Sequence, residues 1–276
     1  MVHSGGGHLQ LVLSGQVWGS EPRQSMLDLT KLGNSLAQIT AETPRLWPAL
    51  AVTIAFTAVA RYIRGVSRSG ALAGALVCFL LYACAGPGAI VALLSVFVLA
   101  WVTTRFGSSR KVRLQIAEKP DGRNASQVLA NLGVAGGCVV LYALLGKDVI
   151  FLLAAAASLS EAAADTVSSE VGQASNEKAR LITTWKQVPA GVDGAVSLQG
   201  TLAGVVVAML VSVICVFGDL LSWKWLGISA GAAVLGMVTD SYLGASLQRR
   251  GMLSNDSVNF LSTLLSAVVA FAIASA

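Results

Sequence analysis

Histidine is nearly missing from this 276-residue chain: there are two, His3 and His8, both in a glycine-rich start. Without a third position to draw on, Ser-His-Asp hydrolysis, histidine phosphotransfer and histidine-ligated metal sites lose their key residue. Cysteine is scarce too. Cys78, Cys84, Cys138 and Cys215 all fall in apolar segments with no C-x-x-C spacing, so neither a zinc site nor a disulfide framework is indicated, and buried thiols are expected. Charge is the third shortage. Only 12% of residues are Asp, Glu, Lys or Arg, against about 25% in an ordinary soluble domain. Alternating ten-residue strands are also lacking, which argues against a β-barrel.

What is present is hydrophobic sequence: 55% of residues are apolar and the mean hydropathy is +0.70. Runs long enough to cross a roughly 30 Å hydrocarbon core recur along the chain. The reading is an all-α integral membrane protein, a compact bundle of about eight transmembrane helices over 46–62, 70–86, 88–104, 126–145, 149–164, 197–218, 224–246 and 257–275. Residues 1–45 form a polar tail with a short surface helix near 25–41, and 46–276 a single polytopic domain. Gly86-Pro87-Gly88 makes a tight turn. Gly70/Gly74, Gly133/Gly137, Gly200/Gly204 and Gly227/Gly231 are G-x-x-x-G pairs that permit close helix contact within one bundle.

Eight spans place both termini on one side. Fourteen of the 19 basic residues then fall on the other side, in the segments holding Arg61 to Arg68, Arg105 to Arg123, Lys178 to Lys186 and Arg249-Arg250. Short loops rich in Lys and Arg stay cytoplasmic, so the expectation is a multi-pass cell-membrane protein with cytoplasmic basic loops and both termini outside. Trp47, Trp223 and Trp225 at the opposite helix ends suit an aromatic belt.

Four polar constellations interrupt the apolar pattern, all at the basic ends. Glu161 and Asp165 sit four residues apart, on one helical face about 6 Å from each other, with Glu170 beyond. A carboxylate in hydrocarbon is tolerated only when it faces water, a cation or a metal. A salt bridge to a loop arginine would satisfy one acid; two on one face fit Mg²⁺, which is held by one or two carboxylates plus substrate phosphates. Asp240, in TDSYLGASLQ, lies at the same side and is either a third ligand or an acid reaching the interface.

The basic loop from Arg105 to Asn124 attracts anionic lipid whatever else it does. Its end, Arg123-Asn124, leads into a helix carrying Gln127 and Asn131 inward, where polar groups at a helix start suit a phosphate or nucleotide, and the arginine fork suits phosphate in particular. The stretch from Arg180 to Gly191 brings Thr183, Thr184, Lys186 and glycine amides together, as a phosphate-cradling loop requires. No G-x-x-x-x-G-K-[ST] occurs, so P-loop chemistry is excluded. Trp185 is either a base-stacking or an interfacial side chain.

The segments EAAADTVSSEVG, RLITTWKQVPAGVDGAVSLQG, GRNASQVLANLG, TDSYLGASLQ and NDSVNFLSTLL together resemble the membrane family named domain of unknown function 92, over roughly residues 50–275. That family includes transmembrane protein 19 and the plant phytyl-phosphate kinases. The resemblance implies a multi-helix membrane protein and, for the plant members, phosphoryl transfer from a nucleoside triphosphate, CTP, to an isoprenoid monophosphate. The residues themselves, not the resemblance, supply the site: Glu161, Asp165 and Asp240 on Mg²⁺; Lys111, Arg123 and Lys186 neutralising charge on the transferred group, with Asp165 central to catalysis; and Asn124, Gln127, Asn131, Glu170, Arg180, Thr183, Thr184 and Gly191 binding substrate or nucleotide. The expected partners are an isoprenoid lipid phosphate and membrane lipids, not nucleic acid; association with a second copy stays open. A lipid-headgroup or lipid-phosphate transporter, whose vestibule the same charges would line, is the alternative, and a non-catalytic scaffold leaves the polar motifs without a role.

Overall fold

The structure is a computed structural model that describes residues 43–117, 120–175 and 178–276. The expected tail lies outside the described residues as far as residue 42. The long helices are α1 (Thr43–Tyr62), α2 (Arg68–Ala85), α3 (Pro87–Arg105), α5 (Ala125–Leu144), α6 (Val149–Ala174), α7 (Leu198–Phe217), α8 (Leu226–Ser246) and α9 (Asn255–Ser275), with a short α4 (Ser108–Arg113) between α3 and α5. Among the described residues, seven helices are long and apolar enough to cross a membrane. The eighth, α1, is not among them, because Arg45, Pro48 and Arg61 lower its hydropathy.

Local chemistry sets the helix boundaries. Ser67, Asp148, Ser197 and Ser254 each accept a backbone N–H of the first turn that follows, satisfying donors that a helix start leaves orphaned. Gly86, at φ +86°, ends α2 in a conformation closed to most side chains, and Pro87 opens α3 at the position where its missing N–H does no harm.

At the centre of the bundle is α6, packed by α3, α5, α7, α8 and α9. Its alanine runs, Ala154–Ala157 and Ala162–Ala164, are fully enclosed and let the neighbouring helices approach closely. Buried hydroxyls are satisfied between helices: Ser212 on α7 bridges Ser160 on α6 and Ser229 on α8 at 3.1 and 2.9 Å, and Ser266 on α9 donates to the Ala157 carbonyl at 3.0 Å.

Two expectations change. Helix α6 continues to Ala174 instead of ending near residue 164, so Asp165 and Glu170 are helical, with the polar side chains of its last turns facing a cleft and neighbouring loops. Of the glycine pairs, only Gly200/Gly204 packs at both positions: a Cβ there would meet the Ser168 carbonyl at 2.5 Å and the Ala164 carbonyl at 3.0 Å. Gly70 is tight against the Arg123 carbonyl, while Gly74, Gly137, Gly227 and Gly231 have open space.

The α6–α7 connection holds a small antiparallel pair, β1 (Arg180–Leu181) with β2 (Ala195–Val196), in the register Arg180↔Val196 and Leu181↔Ala195. It folds onto α8, where Gly194 at φ +73° touches the Ala245 backbone. The α1–α2 turn, the α3–α5 connection, this hairpin and the α8–α9 turn thus gather at one end of the bundle, the basic one.

Candidate functional site

Near the basic end, α6, α8 and α9 enclose three carboxylates. Glu161 is 1% exposed, and its Oε1 has no hydrogen-bond partner. It lies within electrostatic reach of both Asp165 and Asp240, and Asp240 within reach of Asp165. Gly236 is why α8 can pass so close, for a Cβ there would stand 2.6 Å from Glu161 Cγ. The hydroxyl of Ser262 donates to Asp240 Oδ2 at 3.1 Å. In the amide orientation that satisfies its surroundings, Asn259 also donates to that oxygen at 3.3 Å and accepts from Asn131 Nδ2 at 3.1 Å. Asn131, a buried residue of α5, is thereby tied to the acid cluster.

Arg123 faces the acids. Arg123 interacts with Asp165 and donates through Nη2 to Thr166 Oγ1 at 3.4 Å. Its position is fixed by backbone: Arg123 N–H donates to the Gly65 carbonyl at 3.2 Å, and Ser67 N–H donates to the Arg123 carbonyl at 2.9 Å. Gly122 at φ +78° lets the loop lie against Gly65, where any Cβ would meet backbone at 2.6 Å.

Two hollows flank the cluster. A cavity of about 310 Å³ lies among α1, α2, α3 and α5. Its wall is apolar, from Phe56 and Phe97 to Ala162 beside Glu161, while Arg64, Arg105 and Arg123 stand at its polar end. A smaller cleft of about 120 Å³ opens between the end of α6, the hairpin and the α8–α9 turn; Ser168, Ser169, Gln173, Gly191, Asp193 and Asp240 line it. Partial burial pushes the Asp193 carboxyl up, against the pull of Arg249.

Hard oxygen donors with one buried acceptor unpaired fit a divalent cation of the Mg²⁺ type. Among the described residues no group of three Asp, Glu, His or Cys side chains converges closely enough to hold a metal ion together, so a cation here would rest on one or two carboxylates and draw its other ligands from water or substrate phosphate.

Other expected site residues stand elsewhere. Lys111 is 1% exposed and spends its ammonium on the Thr103 and Thr104 carbonyls, at 2.9 and 3.2 Å, and on Glu170 Oε2 at 2.5 Å. Glu170 Oε1 accepts from Thr104 Oγ1 at 2.9 Å. This buried knot closes the end of α3 and pins α4 to α6, which takes Lys111 and Glu170 away from a phosphate-binding role. Asn124 and Gln127 form a capping box, each side chain accepting the other's backbone N–H at 3.0 and 2.9 Å. Thr183, Thr184 and Lys186 form the exposed hairpin tip, with Trp185 64% exposed at φ +56° and Arg180 donating to its carbonyl at 2.9 Å. None of these four, nor Arg180, lines the cavity or the cleft; of that stretch Gly191 alone among the expected residues does.

Arg64, Arg105, Asn259 and Ser262 were not singled out in the sequence. The last two carried a readable signal, since Asn255, Asn259, Ser262 and Ser266 recur at helical spacing on one face of an apolar helix.

The integral membrane protein family DUF92 matches residues 51–267. The chain belongs to this family. As a DUF92 protein it is similar to an uncharacterized membrane protein of Methanocaldococcus jannaschii, 32% identical over 232 residues, which covers 82% of this chain and 92% of that one. An uncharacterized membrane protein of Synechocystis is 31% identical over 198 residues, 70% of this chain and 77% of its own. The chloroplastic protein VTE6 of Arabidopsis thaliana is 32% identical over 218 residues, 75% of this chain and 65% of its own. No solved structure matches this DUF92 chain. It is an integral, multi-pass membrane protein of all-α architecture.

Proposed function

We propose that this protein is a lipid-phosphate kinase, transferring the γ-phosphoryl group of a nucleoside triphosphate, CTP, to the monophosphate of an isoprenoid lipid at the cytoplasmic face of the cell membrane. The observation that carries this reading is that the apolar cavity lined by Arg64, Arg105 and Arg123 reaches Ala162, the residue that follows Glu161 on α6, while Asp240 lines the polar cleft, so in this reading lipid and water approach the acid cluster from two sides. The activity implied by the family resemblance points the same way. Both hollows open at one end of the bundle, where the positive-inside rule places the cytoplasm.

In this reading Arg123, with Arg64 and Arg105, holds the acceptor phosphate, the guanidinium fork matching its oxygens. One or two of the carboxylates Glu161, Asp165 and Asp240 would hold Mg²⁺, which supplies neutralisation of charge on the donor's β- and γ-phosphates. An acceptor phosphate oxygen bonds to the γ-phosphorus as the bond from that phosphorus to the β-bridging oxygen breaks, releasing the nucleoside diphosphate. No base is required, because a phosphate monoester with a second pKa of about 6 is already largely ionised. The scarcity of histidine is therefore no obstacle. Catalysis rests on positioning and charge stabilisation.

The test is phosphoryl transfer by the purified protein in detergent, from γ-labelled CTP with Mg²⁺ to prenyl monophosphates, with Asp165→Asn alongside. A labelled diphosphate from the wild type that the variant fails to make supports the kinase. A folded protein that yields no diphosphate from any of several prenyl phosphates overturns it.

A further inference from the structure

The turn between α1 and α2 holds one residue in a conformation its side chain does not favour. Helix α1 ends in a Schellman motif: the Gly65 N–H donates to the Ala60 carbonyl at 2.9 Å and the Arg64 N–H to the Arg61 carbonyl at 3.1 Å. The left-handed position of that motif usually belongs to glycine, yet here it is Arg64, at φ +54°. The glycine stands one place later, where space demands it, because a Cβ on Gly65 would meet the Phe97 ring at 2.8 Å. Left-handed backbone costs an L-residue stability that glycine does not lose, and such positions persist where function keeps them. Among the described residues five other than glycine have positive φ, and of these Arg64 alone lines the cavity or the cleft.

The three arginines of the cavity differ in what already holds them. Arg105 donates to the Ile63 carbonyl at 2.9 Å and to the Trp101 carbonyl at 3.3 Å, and its guanidinium lies 4.2 Å from the centre of the Trp101 ring. It fastens α1 to α3. Arg123 donates to Thr166 and faces Asp165. Among the described residues the Arg64 guanidinium has neither a hydrogen bond nor an ion pair, and no described Asp or Glu lines the cavity to supply one. Backbone pairing brings the Arg64 and Arg123 segments together: the Gly65 carbonyl accepts the Arg123 N–H, and a Cβ on Gly122 would stand 2.7 Å from the Arg64 carbonyl oxygen. Attraction of anionic headgroups, the role of any basic residue at this end, needs no left-handed backbone and does not account for it.

Resting on the acceptor reading above, we propose that Arg64 is the residue by which the cavity tells a phosphorylated chain from the free alcohol, its guanidinium meeting the terminal oxygens of a phosphate monoester. The apolar wall accepts a chain with or without the phosphate; Arg64 finds a partner only when the phosphate is there.

Arg64→Gly separates this role from a structural one, because glycine relieves the cap while removing the charge. The full chain, purified in neutral detergent without nucleotide or metal, is assayed for binding of labelled farnesyl monophosphate and of labelled farnesol, with inorganic phosphate as competitor, and its thermal midpoint is measured alongside. Arg64→Gly is expected to bind the monophosphate about tenfold more weakly or worse, the scale of one lost hydrogen bond to a charged group. It should bind farnesol as the wild type does and unfold at no lower temperature. Arg64→Lys, which keeps the charge without the fork, should fall between.

Unchanged monophosphate affinity in Arg64→Gly overturns the proposal, and so does a wild type that binds the monophosphate no more tightly than farnesol. Inorganic phosphate that displaces the ester at equal concentration shows a site for free phosphate and overturns it too. A larger loss of monophosphate binding in Arg105→Gln, at an unchanged thermal midpoint, would move the selection to that residue. Arg64-dependent binding in a protein that makes no diphosphate leaves the selection standing and removes the kinase; a diphosphate formed by a protein whose monophosphate affinity ignores Arg64 does the reverse.

Discussion

Arg123 and Asp165 face each other where the start of α5 meets α6, with the guanidinium reaching Thr166, one residue further along the same helix. The electrostatic reach of Arg123 to Asp165 links the basic loop to the acid cluster, and its hydrogen bond to Thr166 makes geometry as well as charge a requirement. Lysine at 123 keeps the charge but loses the planar fork. Arg123→Lys should lower kcat/KM for the acceptor by about 10²-fold, the scale on which loss of one preorganised donor is felt. An acceptor titration by the labelled-CTP assay checks it; Arg123→Lys with unchanged kcat/KM would assign the arginine to lipid headgroups alone.

The Lys111–Glu170 ion pair should behave as structure. Removing one partner of a buried pair is destabilising by about 3–5 kcal/mol, whereas replacing both with apolar groups is often near neutral. Lys111→Met is expected to lower the thermal midpoint in detergent markedly, and Lys111→Met with Glu170→Leu to recover most of the loss. If the single variant unfolds at the wild-type temperature, the ammonium is not holding α4 to α6.

Helix contact predicts a contrast between two glycines of the same motif type. Gly200→Val would drive a branched side chain into the Ser168 carbonyl and should abolish recovery of folded protein, whereas Gly231→Val enters open space and should change stability by no more than about 1 kcal/mol. Size-exclusion profiles of the two purified side by side decide the matter.

The Asn124 cap offers a third kind of test. Asn124→Ala should destabilise by about 1 kcal/mol, and Asn124→Asp or Asn124→Ser should restore it, because each of these accepts the same N–H. A nucleotide-binding asparagine would show the opposite pattern, with KM for CTP raised by alanine and not rescued by serine.

The spans and the acid cluster were legible because hydrocarbon punishes polar groups: Glu161, Asp165 and Asp240 stand out in apolar helices, and the helical period puts the first two on one face. What the period could not show is which polar groups are already satisfied. Lys111 reads in sequence like any loop lysine, yet it meets carbonyls eight and seven residues before it and an acid on α6. Asn124 and Gln127 have the spacing of a capping box, a reading that competes with phosphate binding for the same atoms. Thr183, Thr184 and Lys186 have the composition of a phosphate loop, but the β1–β2 pairing turns them outward, and that register depends on contacts from residues 180 to 196 with α8. Arg64 and Arg105 line one cavity, a proximity that arises from tertiary packing and leaves no local trace.

The backbone pairing between the α1–α2 turn and Arg123 couples two movements. The carbonyl of Gly65 and the N–H of Ser67 are both bonded to residue 123, so any swing of α1 that widens its seam with α3 pulls on the segment carrying the guanidinium opposite Asp165. A shift of α1 and the placement of that guanidinium would then be one mechanical event, with the least apolar of the long helices, α1, as its lever.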